Sequence, residues 1–245
     1  GCSDGDLIQA CWLNATGRVQ ALLEIRLTTD GADVLVLSGE IDRVASGFDR
    51  VIFPADQVRL GEQGQQRRMQ RLQAGKPPEL NQVVWLDANA DPPPPWTDRS
   101  PCNPAELECW RNKQGWPLGD QELTGDTNPF EVGLSRWVDL NKGCYLGQET
   151  VAKLASRGGV KQELRCWQST AEGCLDLESG DQLSLNDSRA GLITSVCNDS
   201  ATGHCFGLAF VRRQALDAET LLAGTSGVEV SISRPSAFCE PPSRG

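Results

Sequence analysis

Hydrophobic and polar residues alternate along the start of the chain in the manner of β-strands. Apolar residues dominate Ile8 to Leu13, a polar turn follows at Asn14 to Gly17, and every second residue from Val19 to Leu27 is apolar. A period of two is typical of strands that bury one face. The pattern therefore predicts two strands joined by a tight turn, followed by a third short strand over Val34 to Leu37.

The next part of the chain mixes helical and extended patterns. The apolar positions from Gly39 to Val51 are spaced as on one helix face, whereas Gln57 to Leu60 and Gln82 to Leu86 favour strands. Between those strands, Gly61 to Lys76 is rich in Gln and Arg and polar on nearly all sides. We interpret it as a solvated helix or a variable loop, with a nucleic-acid contact as the weaker alternative.

Two later helices have clear boundaries. Asn103 can cap a helix whose first residue is Pro104, Glu106 completes a capping box, and Gly115 can end the helix in a left-handed conformation. A second helix is predicted over Gly147 to Ser156.

Beyond Val160 the pattern changes to short apolar runs at roughly ten-residue spacing, separated by glycine-rich turns. Such spacing is typical of a small barrel or sandwich. We place the domain boundary near Gly158. The predicted strands are Leu164 to Ser169, Asp181 to Leu185, Ala190 to Val196, Phe206 to Val211 and Val228 to Ile232.

Charge is unevenly distributed along the 245 residues. The net charge is −10, which argues against direct nucleic-acid binding because phosphate neutralisation needs clustered cations. Residues 134–165 nevertheless carry six basic and three acidic side chains, a local excess of three positive charges. This cationic segment favours an anionic ligand. No apolar run is long enough to span a bilayer, so we expect no membrane association.

The ten cysteines follow no Cys-x-x-Cys pattern, and the chain has a single histidine, His204. We therefore expect no metal site; Cys197 with His204 and Cys205 is a weak alternative that lacks a fourth ligand. The cysteine density is below that of a disulfide scaffold, and no secretory signal is visible at Gly1. We accordingly expect reduced thiols and a cytoplasmic protein.

The strongest local motif is Lys142–Glu149, which reads Lys-Gly-Cys-Tyr-Leu-Gly-Gln-Glu. Two glycines flank the single thiol of Cys144 just before a predicted helix. The positive end of the helix dipole and the cation of Lys142 both favour the thiolate form. Alternatively, Cys144 is a packing residue like most cysteines.

This motif resembles the signature of the YgfZ family, relatives of the glycine-cleavage T-protein (aminomethyltransferase, GcvT). Four further segments resemble elements of the family in the same order. They are Asn14–Val19, Arg111–Pro117, Asn128–Leu134, and Ala190–Ser195 followed by Phe206–Val211.

The resemblance implies an α+β fold, with a folate-binding domain over residues 1–158 and a small C-terminal β-barrel over residues 159–245. It also implies a tetrahydrofolate-binding accessory protein that supports the assembly or repair of iron–sulfur enzymes, with iron–sulfur proteins or their assembly factors as partners. In bacterial relatives this role extends to enzymes that modify tRNA.

Individual residues take roles by the same resemblance. Cys144 matches the defining thiol and is the candidate catalytic residue. Glu131 stands where the T-protein family places a carboxylate that binds the pterin ring. The remaining candidates for folate binding each have an alternative: packing for Tyr145, pKa control for Lys142, a surface salt bridge for Arg165 and a helix-end charge for Arg111.

Two other functions stay open at this stage. One is a folate-dependent aminomethyl or one-carbon transferase like the T-protein, which relies on an acidic residue near its first hairpin. Glu24 and Asp30 are candidates for that acid by position only. The other is a scaffold that has lost both activities.

Overall fold

The computed structural model describes residues 3–72, 82–118, 120–157, 159–199 and 202–241, and divides the chain into two compact units. The first unit comprises residues 1–12 and 20–101, and the second comprises residues 13–19 and 102–245. This division does not fall at residue 158, which lies outside the described residues, and the boundary predicted there stays a prediction.

The first unit is built on a three-stranded sheet whose strands follow chain order. The strands are β1 (Leu7–Leu13), β2 (Val19–Thr28) and β3 (Gly31–Ser38), so the predicted strand pair and third strand are confirmed. Helix α1 (Ile41–Asp49) packs on one face of β2, because alternate residues of that strand point the same way. The small core there comprises Ala21, Leu23 and Val44, with Trp12, Ile25, Val36 and Phe48 packed against it.

A two-stranded ribbon completes this unit. Strands β4 (Gln66–Gln70) and β5 (Val83–Asp87) pair antiparallel, which confirms the strand predicted at 82–86. The expectation of a helix or loop over residues 61–76 is wrong at β4; its part from residue 73 onward lies outside the described residues. The strand predicted at 57–60 is also wrong, because Gln57 is left-handed (φ 54°) and the segment is exposed, with no ladder partner among the described residues.

The second unit contains two helices and a closed barrel. Helix α2 (Pro104–Gln114) has the predicted capping box at Asn103 and Glu106, and Gly115 ends it at φ 76°. Helix α3 (Gln148–Arg157) begins one residue later than predicted. No helix among the described residues is long and apolar enough to cross a membrane.

The barrel has six strands, so the alternative of a sandwich is excluded. Its strands close in the order β10-β11-β6-β9-β8-β7, and closure leaves no unpaired strand edge. Five of the six strands were predicted and β10 was not. The strands are β6 (Gln162–Ser169), β7 (Gln182–Leu185), β8 (Ser188–Asp199), β9 (His204–Arg212), β10 (Thr220–Ala223) and β11 (Val228–Ser233).

Two barrel cysteines depart from the expectation of reduced thiols. Cys174 and Cys205 are paired as a disulfide, with Cα atoms 6.1 Å apart, and both are buried in the barrel core. The expectation of free thiols is therefore wrong for this pair. No local sequence pattern indicates this pair, because 31 positions separate the two residues.

Candidate functional site

The turn at Asn14–Arg18 is stabilised by hydrogen bonds to the side chain of its first residue, Asn14. The Asn14 Oδ1 atom accepts hydrogen bonds from the backbone N–H groups of Thr16 and Arg18, at 2.9 and 3.0 Å. Gly17 takes a positive φ of 71° and donates its N–H to the Asn14 carbonyl at 2.9 Å. Asparagine and glycine suit these positions because one mimics a backbone turn and the other tolerates the left-handed region. These bonds fix the backbone at Arg18, and with it the position from which the Arg18 side chain extends.

This turn packs directly against the start of helix α3. A Cβ on Gly17 would lie 3.2 Å from the side chain of Val151, and a Cβ on Gly147 would lie only 2.5 Å from the Asn14 carbonyl oxygen. Gly147 also has a positive φ of 81°. Both glycines are therefore required for the close approach of the two backbones. The contact joins the first family-like segment to the cysteine motif.

Glu131 is a buried carboxylate with unused acceptor capacity. It is 1% exposed, and its Oε2 atom accepts one hydrogen bond, 3.2 Å long, from the backbone N–H of Asn128. Arg18 lies 3.8 Å from the same oxygen. Within the described residues, no hydrogen bond reaches Oε1. Burial raises the Glu131 pKa, and the Asn128 hydrogen bond and the charges of Lys161 and Arg18 offset part of that rise.

Hydrogen bonds hold the backbone of the loop around Glu131 in place. The Asn128 side chain accepts hydrogen bonds from the backbone N–H groups of Phe130 and Glu131, at 3.0 and 3.1 Å. The Glu131 carbonyl accepts a 2.8 Å hydrogen bond from Leu164 of strand β6. The carboxylate is therefore presented by a fixed backbone, as a ligand-binding group requires.

The cysteine motif is mostly exposed. Cys144 and Lys142 are both exposed, and the Lys142 Nζ atom lies 5.2 Å from the centroid of the Tyr145 ring. The Tyr145 hydroxyl is buried and has no hydrogen-bond partner within the described residues. Burial, followed by the charge of Asp139, raises the Tyr145 pKa. Cys144 precedes helix α3 by four residues, and its thiolate character stays a prediction.

Arg111 is a structural residue with all its donors in use. It is 6% exposed, and its five N–H groups bind Glu108 twice, the Trp116 carbonyl, Glu122 and the Ser195 hydroxyl, at 2.6–3.0 Å. Burial lowers its pKa, but the two carboxylates outweigh burial and raise it. A guanidinium has five donors in total, so none remains for folate. The expectation of folate binding by Arg111 therefore finds no free donor, whereas the alternative of a helix-end cation agrees with its place in the last turn of helix α2.

Arg165 is also buried and paired, on strand β6. Its guanidinium lies 2.7 Å from the Glu163 carboxylate, and it is 4% exposed, so the alternative of a surface salt bridge is wrong. It also donates to the Leu164 carbonyl at 3.2 Å and lies 5.6 Å from the ring centroid of Phe238. Its role toward the folate tail stays a prediction.

Of the two candidates for the acid required by the transferase hypothesis, Glu24 is fully engaged and Asp30 is exposed. Glu24 is fully buried and accepts four hydrogen bonds: two from Arg68 at 2.7 and 2.8 Å, one from Gln9 at 2.9 Å and one from Trp85 at 3.2 Å. Burial raises its pKa, but these partners outweigh burial and lower it below its ordinary value. Asp30 lies exposed in the turn between β2 and β3.

The structure thus brings together some of the candidates and separates others. In the second unit, the turn at 14–18 contacts both the Glu131 carboxylate, through Arg18, and Gly147, the second glycine of the cysteine motif. Arg18 and Lys161 were not singled out as site residues. Arg18 was identifiable as part of a quoted motif, and Lys161 only as one charge of the cationic segment. Within the described residues, no group of three or more His, Cys, Asp or Glu side chains is placed to hold a metal ion.

Comparison with known proteins supports the same fold. No family model matches the chain. A chloroplastic protein of Arabidopsis thaliana, which carries the provisional name of a transferase, is 35% identical over 116 residues; the match covers 47% of this chain and 26% of that protein. The aminomethyltransferase of Corynebacterium aurimucosum is 25% identical over 158 residues, covering 59% of this chain and 39% of the enzyme.

A solved structure extends the likeness to nearly the whole chain. The aminomethyltransferase T of the glycine cleavage system from Bartonella henselae superposes with a TM-score of 0.63 at 12% identity, covering 99% of this chain and 78% of the enzyme. The chain therefore has an aminomethyltransferase-like fold. It spans 26% and 39% of the lengths of the two relatives matched by sequence, and its assignment to the YgfZ family stays a prediction.

Proposed function

We propose that this chain binds tetrahydrofolate and acts as an accessory protein in the assembly or repair of iron–sulfur enzymes, including enzymes that modify tRNA. The observation that carries folate binding is the buried Glu131 carboxylate, whose Oε1 accepts no hydrogen bond within the described residues. The aminomethyltransferase-like fold and the names of the relatives add support for a folate ligand.

The chemistry of the pterin ring suits this carboxylate. An aminopyrimidinone edge presents two parallel N–H donors, and a carboxylate can accept such a pair in the same bidentate manner that it accepts a guanidinium. Glu131 must be ionised to do so. Burial raises its pKa and opposes ionisation, and the Asn128 hydrogen bond and the nearby cations Lys161 and Arg18 offset part of that rise. The unpartnered Tyr145 hydroxyl and the Lys142 ammonium are further groups that we assign to ligand recognition.

The exposed Cys144 thiol provides the second half of the proposal. A thiol at the surface can contact an iron–sulfur protein or an assembly factor, whereas a buried thiol cannot. The cytoplasmic location expected from the sequence stays a prediction, since the name of one relative places that relative in the chloroplast.

Calorimetry tests the folate half. We expect tetrahydrofolate to bind the wild type and the Cys144→Ala variant with equal affinity, and to bind Glu131→Ala at least tenfold more weakly. Absence of binding by the wild type would refute the proposal of a folate protein. Equal binding by Glu131→Ala would refute the role of the carboxylate.

Complementation in cells tests the thiol half. Cys102 provides a matched control, because it is also an exposed cysteine of the second unit. We expect Cys144→Ala to lower the activity of iron–sulfur enzymes in a strain that depends on this protein, and Cys102→Ala to leave it unchanged. An equal effect of the two variants would argue against a specific role for Cys144.

The second candidate function is a folate-dependent aminomethyltransferase, which the name of the Corynebacterium aurimucosum relative favours. Against it, Glu24 is fully engaged in hydrogen bonds and is not available to exchange a proton. Formation of methylene-tetrahydrofolate from an aminomethyl donor by the purified protein would establish this function instead.

A further inference from the structure

The residues that follow the barrel form a short segment across the second unit, which we call the C-terminal strap (residues 234–240). At one point the strap contacts the end of helix α2, where Ala237 donates its N–H to the Gln114 carbonyl at 3.0 Å. At another it contacts the loop that carries Glu131, where Cys239 donates its N–H to the Gly133 carbonyl at 2.8 Å and the Ser135 hydroxyl donates to the Cys239 carbonyl at 2.9 Å. The strap is therefore bonded to the backbone just beyond Glu131.

Phe238 is the side chain that fills the space at this contact. A Cβ on Gly133 would lie only 2.5 Å from the Phe238 ring, so the ring rests directly on the Gly133 backbone. Two guanidinium groups also lie near the ring, with Arg165 at 5.6 Å and Arg234 at 5.5 Å from its centroid. Each such pair is a favourable cation–π contact.

Ion pairs around Phe238 join the first residue of the strap to the barrel and to the end of the strap itself. Arg234 pairs with Glu240 within the strap and lies 3.6 Å from Glu163 of strand β6, while Glu163 lies 2.7 Å from Arg165. These contacts fix Phe238 against the barrel wall. They are not needed to close the barrel, whose last strand ends at Ser233.

We propose that the C-terminal strap, through Phe238, is a positioning element that fixes the loop bearing Glu131 for ligand binding. Strand β6 holds one side of that loop through the Leu164 hydrogen bond to the Glu131 carbonyl, and the strap holds the other side at Gly133. Within the part of the chain that the structure describes, Glu131 makes one hydrogen bond through its side chain, so its placement depends on this backbone support. The ligand part of the inference rests on the proposed folate function.

Hydrogen exchange tests, in the absence of any ligand, whether the C-terminal strap stabilises the loop that bears Glu131. The Leu134 amide, which is bonded to the Pro129 carbonyl at 2.8 Å, reports on the loop. We expect its exchange to become at least tenfold faster in Phe238→Ala and to change less in the bulkier Phe238→Leu. Phe206→Ala is the matched control, because Phe206 also lies under a cation, Lys113 at 4.9 Å, but on strand β9. Unchanged exchange in Phe238→Ala would overturn the proposal.

A double-mutant cycle tests whether the strap acts through Glu131. We expect Phe238→Ala to weaken tetrahydrofolate binding about tenfold in the wild-type background and less than twofold in the Glu131→Gln background, since coupled residues are not additive. Equal effects in both backgrounds would mean that Phe238 does not act through Glu131, and would overturn the positioning role. If the wild type binds no folate, the folate function fails, and the exchange experiment alone decides whether the strap holds the loop.

Discussion

Three fully or nearly fully buried carboxylates in this protein differ in how many hydrogen bonds they accept. Glu24 accepts four, and Glu122 is bonded to both Arg111 and the Ser195 hydroxyl. Glu131, equally buried, accepts one. A buried carboxylate whose acceptors are filled stabilises the fold, whereas one with an unfilled oxygen is available to a ligand. Burial alone therefore does not identify the candidate ligand-binding residue.

Replacing Glu131 by glutamine should separate ligand binding from stability. An amide keeps one acceptor but loses the charge and the bidentate geometry, so we expect tetrahydrofolate binding to weaken by about 1.5–3 kcal/mol, the value of a hydrogen bond to a charged group. Calorimetry at fixed salt measures this loss. A variant that binds as tightly as the wild type would contradict it.

The stability of Glu131→Gln relative to the wild type should increase with pH. Because burial raises the Glu131 pKa, folding favours the protonated carboxyl, and this contribution is lost as the pH rises through the raised pKa. Glutamine does not ionise. We therefore expect the urea midpoint of Glu131→Gln, relative to wild type, to rise between pH 4 and pH 7. A constant difference across that range would count against a raised pKa.

Removing the Arg111 side chain should be costly for folding. Arg111→Ala would leave the fully buried Glu122 carboxylate without its cation, and breaking a buried pair in this way costs about 3–5 kcal/mol. Urea unfolding measures the loss. Glu106→Ala on the same helix removes an exposed capping residue and should cost only about 1 kcal/mol, so similar losses for the two variants would contradict the prediction.

At the scale of elements, the turn at 14–18 and the start of helix α3 depend on each other. Gly17 and Gly147 both have positive φ and face each other at contact distance. Such a backbone contact transmits the position of the turn to the cysteine motif, because neither side has a flexible side chain that could yield. The two glycines of the cysteine motif, Gly143 and Gly147, consequently differ in whether they tolerate a side chain.

We expect Gly147→Ala to destabilise the protein and Gly143→Ala to be nearly neutral. The first change imposes a left-handed residue, at a cost of about 1–3 kcal/mol, and places a Cβ 2.5 Å from the Asn14 carbonyl oxygen. The second meets nothing within 4 Å. Thermal unfolding of the two variants provides the comparison, and equal melting temperatures would show that the contact is not tight.

At the scale of the molecule, the disulfide of the barrel links stability to redox conditions. Cys174 and Cys205 close a loop of 31 residues, and a crosslink of that size contributes about 2–4 kcal/mol by restricting the unfolded chain. We expect a reducing agent to lower the melting temperature of the wild type. The double variant Cys174→Ala with Cys205→Ala should not respond to the reducing agent, and an unresponsive wild type would mean that the two thiols are not linked in solution.

Short sequence patterns predicted the helices and strands whose conformation depends on neighbouring residues. The capping box at Asn103 and the left-handed Gly115 define helix α2 from neighbouring residues alone. An apolar run predicts β1, and alternation predicts β2. Strand β4 was missed because its sequence, Gln-Arg-Arg-Met-Gln, is polar. It is a strand because it pairs with β5 and because Arg68 neutralises the buried Glu24, a partner 44 positions away.

The candidate site was predictable only in part for the same reason. Glu131 and the turn at 14–18 could each be identified from a short motif, but their contact through Arg18 is a tertiary one. The burial of Arg111 and Arg165 could not be predicted from the sequence, because a helix-end position for Arg111 and a surface salt bridge for Arg165 fit the local pattern equally well. Their partners, the buried Glu122 and the partly buried Glu163, carry no sequence signal that distinguishes them from exposed acids.

The turn at residues 13–19 belongs to the second unit although the chain on both sides of it belongs to the first. During synthesis it leaves the ribosome early, whereas Thr127, Glu131 and Gly147, which it contacts, emerge much later. The second unit therefore cannot be completed in the order of translation. Until the cysteine motif has been synthesised, the nascent chain carries a preformed turn whose binding partners do not yet exist.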